Sequence, residues 1–196
     1  MYEDWFEDDE LNSGQRAFVD VVRESARSWP ECRPIDTLAL VFEPEEQEED
    51  GLVAARESQW EPLAEHAAYH AALDEAIDRG DEVVTLIVDL IDWHESERGS
   101  VFMCVGATIL GDRVFCSERH NQNWQTPEPT RHVQPLTAAG PPQHLGRIAA
   151  AWFEEIMHSG IIVGREGLRF VPQGTALPPR HRWVRNGPRN DPPDRP

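Results

Sequence analysis

Three groups of residues in this chain have types and spacings that could do chemistry. The first is Asp89, Asp92, His94 and Glu95, at the end of the apolar run from Val83 to Ile91. On a strand Asp92 and His94 share one face, and Asp89 points to the other. A carboxylate beside an imidazole at a strand end can hold a metal or trade protons with a substrate. The same polarity continues into Glu97 and Arg98, as it would in a plain strand end entering a turn.

The second group is Cys116 and His120, with Cys104 across the Gly111-Asp112 turn. With an even-numbered hairpin loop, Cys104 and Cys116 each oppose an odd-numbered residue, which puts the two thiols on opposite faces. They would then share neither a zinc ion nor a disulfide. No Cys-x-x-Cys or His-Glu-x-x-His spacing adds support for a metal, so neither a metal nor any other cofactor is expected. The third group is His66 and His70, one helical turn apart, where a boundary histidine competes with a metal ligand. Gly-x-Ser-x-Gly, Gly-x-Gly-x-x-Gly and Gly-x-x-x-x-Gly-Lys are all absent.

A fourth constellation suits binding better than catalysis. The head Met1 to Leu11 sets Tyr2, Trp5 and Phe6 among Glu7, Asp8, Asp9 and other acids. Such a segment can fold into a basic-rimmed groove of a partner, with Tyr2, Trp5, Phe6, Glu7, Asp8 and Asp9 as contacts. Docking of Trp5 and Phe6 on their own domain is the competing expectation.

Periodicity supplies the elements that must position these groups. Ser13 is placed to cap a helix to about Ser28, with Ala17, Phe18, Val21, Val22 and Trp29 near helical spacing. Ile35 to Phe42 reads as a strand. A helix between Pro62 and Gly80 would bury Leu63, Ala67, His70, Leu73 and Ile77. The runs Val83–Ile91, Val101–Leu110 and Val114–Cys116 read as an antiparallel meander. Residues 119–143, with five prolines, read as a long polar connection. Gln143 to His158 reads as a last helix, and Ile161–Val163 with Leu168–Val171 as a terminal hairpin. The expected class is α+β, an antiparallel sheet of about four to six strands packed by three helices. The expected division is an acidic arm (1–12), one domain (13–171) and a disordered Pro/Arg-rich tail (172–196).

Charge narrows the function classes. The chain has 196 residues and 36 acids against 18 positive side chains, all arginine, for a net charge of −18. Residues 1–50 carry −12, residues 51–164 carry −10 and residues 165–196 carry +4. Free nucleic acid would meet a repulsive field. No apolar run reaches the length of a membrane span. The start lacks the basic flank and apolar core of a signal peptide, and three unpaired cysteines suit a reducing compartment, so a cytoplasmic location is expected. The leading expectation is a non-catalytic acidic protein, adaptor-like or inhibitor-like, that binds a basic protein partner. The alternatives are a small metal-dependent or acid/base enzyme at Asp92 and His94, and a DNA mimic. Opposite charge at head and tail also makes a homodimer an option.

Overall fold

The structure is a computed structural model that describes residues 4–6, 11–42, 64–92, 100–119 and 132–187. Helix α1 (Ser13–Ala26) is capped one residue earlier than expected. The Asn12 side chain accepts from the Gly14 and Gln15 amides, and Gln15 returns a bond from the Asn12 amide. This reciprocal box satisfies donors that Ser13 would have left open.

A short 3-10 turn, Pro34–Asp36, feeds strand β1 (Thr37–Phe42), and helix α2 (Ala64–Arg79) follows. Strands β2 (Val83–Asp92), β3 (Ser100–Leu110) and β4 (Arg113–Arg119) form the expected meander. Strand β5 (Leu136–Ala139) pairs with β4, so the sheet runs β1-β2-β3-β4-β5, antiparallel throughout. That strand lies inside the stretch expected to be a polar loop. Four small residues among prolines carry too little alternation to stand out.

Helix α3 (Pro142–His158) leads into the hairpin β6 (Gly160–Gly164) and β7 (Gly167–Val171). Strand β8 (Arg182–Arg185) pairs with the other side of β6, giving a second, three-stranded sheet. The expected disordered tail therefore contains a strand, and the domain does not end at residue 171. Val184 enters the main core and Arg185 is buried, so this short segment gains burial that its proline-rich flanks conceal in the sequence. The fold is α+β, with three α-helices among the described residues. Among the described residues no helix is long and apolar enough to cross a membrane.

The two faces of the five-stranded sheet are covered differently. One face presents Val84, Leu86, Val88 and Leu90 of β2 with Val105, Ala107 and Ile109 of β3. Helices α1 and α3 close over it with Phe18, Val22, Leu145, Trp152 and Phe153. Their crossing is tight at Gly146, where a Cβ would stand 2.7 Å from the Phe18 carbonyl oxygen. Each large side chain buried here contributes about 1.5–3 kcal/mol.

The other face is covered by α2 through Tyr69, Ala72 and Ala76, against Val83, Leu110 and Phe115. The buried stripe is thus rotated from the one expected, and Ala67 is exposed. Alanines surround this helix, so its apolar pattern marks no side, and the tyrosine decides which side turns inward.

Candidate functional site

The β2 end separates its acids as parity requires. Asp92 is 2% exposed, and its Oδ2 lies 2.6 Å from Arg182 Nη1 on β8. The ion pair ties the five-stranded sheet to the three-stranded one. The carboxylate expected to act as acid, base or metal ligand is engaged in joining two sheets. A bulge follows in β3, where the register passes from Leu90–Met103 to Ile91–Val101. His94, Glu95 and His120 lie outside the described residues.

Asp89 points to the α2 side, directly opposite Cys104, whose thiol donates to Oδ1 at 3.0 Å. One step beyond the Thr37–Val88 pair, Asp36 falls beside it. Burial pushes the Asp89 carboxyl above the usual carboxylate range; the thiol bond opposes this and the Asp36 charge adds to it. Asp36 is itself held by Arg33, with Nη2–Oδ1 at 2.9 Å and the Arg33 amide on Oδ2.

Register extends this row to Arg119, paired with Cys104, so the 3-10 turn before β1 contributes Asp36 and three strands contribute Asp89, Cys104 and Arg119. Arg119 is 2% exposed. Its side chain lies over Gly106, where a Cβ would stand 2.9 Å from Arg119 Cγ. Nη2 donates to Thr108 Oγ1 at 2.7 Å and to the Phe115 carbonyl at 3.2 Å. The Thr85 and Thr108 hydroxyls share a 2.7 Å bond, and the Tyr69 ring sits 5.4 Å from the guanidinium carbon. A polar seam thus runs beneath α2, and its partners fix where that helix sits.

The thiols are poor nucleophiles. Cys104 and Cys116 lie on opposite faces, by the parity of the β3–β4 hairpin. Burial pushes the Cys116 thiol up to about 12. Burial also pushes the Cys32 thiol up to about 12, against the pull of the Arg185 charge. Thiols held so high stay protonated at neutral pH. None of the three is in a disulfide, and among the described residues no three His, Cys, Asp or Glu converge on a common metal position. His70 is half-buried, its ring edge-on to Tyr69 at 5.6 Å; the His66 side chain lies outside the described atoms.

The head is placed by its aromatics. Phe6 is 0% exposed and packs on Trp29 and Phe153, with ring centroids at 6.2 and 6.4 Å. Arg23 grips the segment through the Trp5 and Phe6 carbonyls at 2.8 and 3.0 Å. Phe6 is therefore enclosed in its own domain, and its ring is not available to a partner. The half-buried Trp5 packs against the same core, edge-on to Trp29. This is the docking that competed with a partner-binding arm in the sequence, and the fold supplies the pocket for the ring. Tyr2, Glu7, Asp8 and Asp9 lie outside the described residues.

Sequence reasoning missed Glu118 and His132. Glu118 is 8% exposed and accepts from the His132 amide at 3.0 Å, with Nδ1 3.2 Å from both carboxylate oxygens. A carboxylate that orients an imidazole is a unit of acid/base chemistry. Fourteen residues separate the pair, with no periodic signal to connect them.

A charged surface lies at the C-terminal end of α2. Asp74, Glu75 and Asp78 are exposed on the helix, Asp81 and Glu82 follow it, and Asp112 sits on the adjacent β3–β4 turn. Arg79 lies among them, 3.7 Å from Glu75 and 2.6 Å from Asp81, and it feels the charge of Asp112. No known protein-family profile, curated protein or solved structure matches this chain.

Proposed function

We propose that this chain is a non-catalytic acidic protein that binds a basic protein partner through the C-terminal end of α2. One observation carries the reading: Asp74, Glu75 and Asp78 near the end of α2, Asp81 and Glu82 just after it and Asp112 on the adjacent turn are six carboxylates, with Arg79 paired to Glu75 and Asp81. Negative charge at a helix C-terminus opposes the helix dipole, so this placement works against the stability of α2. A cationic partner would relieve that repulsion and would be drawn to the patch during encounter. The raised thiols Cys32 and Cys116 and the engagement of Asp92 by Arg182 favour binding over catalysis.

The test is capture from lysate by the tagged full chain, with Asp74→Asn/Glu75→Gln/Asp78→Asn as the control. The expected result is a basic protein held at low salt, with retention at least tenfold lower for the variant. Equal retention by the variant removes the α2 end as the contact surface. Displacement of the partner by duplex DNA would move the reading to a DNA mimic.

A second reading, an acid/base enzyme, draws support from the Glu118–His132 pair rather than from Asp92 and His94. It requires an activity that disappears in His132→Ala and survives in Asp92→Asn.

A further inference from the structure

In a chain where acids outnumber arginines two to one, one surface reverses the sign. Residues 160–187 hold five Arg and the single acid Glu166. Two of the five are engaged elsewhere: Arg182, still exposed, by Asp92, and Arg185, 1% exposed, by the Pro30 carbonyl and the Met157 sulfur. Arg165, Arg169 and Arg180 remain exposed. Among the described residues none of these three has a carboxylate within ion-pair distance. Arg23, Arg27, Arg33 and Arg79 each have one.

The three are gathered by local packing. The His181 ring lies over Gly164, where a Cβ would stand 2.5 Å from it, so glycine is required beneath the imidazole. His181 Nδ1 lies 3.0 Å from the Pro179 carbonyl and Nε2 lies 3.1 Å from Arg169 Nη2. Those contacts suit the neutral Nδ1–H tautomer, which accepts from Arg169. Arg165 follows Gly164 and Arg180 precedes His181 in the chain, so all three lie on or next to the segments that this contact joins. Strand β7, which carries Arg169, is the edge of the order β7-β6-β8.

We infer that the β6–β7 hairpin with the entry to β8 is a recognition surface for an extended acidic peptide segment. The segment would add along the β7 edge, with its carboxylates facing Arg165, Arg169 and Arg180. Single-stranded nucleic acid fits less well. Its bases need an open aromatic platform, and the Trp183 ring is packed against Gly160 and Gly187, with Cβ positions 2.7 and 2.4 Å away. The net charge of −18 also opposes a polyphosphate more strongly than a short carboxylate segment.

The experiment uses the full chain and three labelled probes: a Glu/Asp-rich peptide, its Gln/Asn counterpart of equal length, and a thymidine oligonucleotide. Fluorescence anisotropy should give binding of the acidic peptide at least tenfold tighter than of either other probe, with loss at about 0.5 M salt. Arg165→Ser/Arg169→Ser should weaken it at least tenfold, and Arg180→Glu should do the same from the other side of His181. Thermal melting confirms that these exposed substitutions leave the fold intact. Slower amide exchange over Gly167–Val171 in the bound state supports strand addition. Equal affinity for the amide peptide, preference for the oligonucleotide, or an unchanged double variant each overturns the inference.

Discussion

The two faces of the five-stranded sheet divide the work of the molecule. The α1/α3 face is apolar through its centre, with the buried carboxylates Asp92 and Glu118 toward the strand ends, and it gathers Phe6 from the head and Val184 from β8 into one core. The α2 face has a small apolar cluster, then turns polar through Thr85, Thr108, Cys104, Asp89 and Arg119. A close-packed apolar face holds the fold and tolerates little change. A polar face under a helix built on alanines holds position through directional bonds, and it leaves the outer side of that helix free to carry charge. The comparison sets the larger apolar core on one side of the sheet and the proposed recognition surface on the other.

Mutations can break that division, starting with the largest effect. Phe153→Ala empties the centre of the α1/α3 core and should lower stability by about 3–5 kcal/mol in urea unfolding. Leu73→Ala, at a half-buried position on α2 itself, should cost about 1 kcal/mol. Equal losses would mean that both faces hold the fold alike.

Next in size is the seam. Thr108→Val removes the acceptor of Arg119 and the partner of Thr85, and should cost about 1–3 kcal/mol. Its expected signature is faster amide exchange in α2, with α1 and α3 unchanged.

Asp89 gives a smaller, pH-dependent effect. Its carboxyl is raised in the folded chain, so the folded state holds the proton more tightly than the unfolded one. Stability from this group is then present below the usual carboxylate range and declines as pH rises through the raised value. Asp89→Asn should therefore melt higher than the parent at neutral pH, and the advantage should vanish in acid. An advantage independent of pH would remove burial of the charge as its cause. Smallest of all, Arg27→Ala breaks the exposed Arg27–Glu24 pair and should change stability by less than about 0.5 kcal/mol.

Elements with long periodic runs were legible before the fold was known. The β2–β3–β4 meander, α1, α3 and the β6–β7 hairpin each span enough residues for their period to show. Strands β5 and β8 have four residues each, too few for alternation to register, and both depend on a neighbour already in place. The inward side of α2 was illegible because alanine marks no face. At the sites, hairpin parity did separate Cys104 from Cys116, and Asp89 from Asp92. Partners distant in sequence were beyond reach: Asp92 with Arg182, Glu118 with His132, and Phe6 with Trp29 meet only through the tertiary fold.

The division of labour is tested most directly by neutralising the α2 end and reading stability and binding on the same protein. Asp74→Asn/Glu75→Gln/Asp78→Asn should melt at or above the parent temperature, because it removes charge that opposes the helix dipole. The same variant should lose at least tenfold in retention of the basic partner. A variant that loses stability while keeping its partner would contradict the account, because those carboxylates would then serve the fold and not recognition.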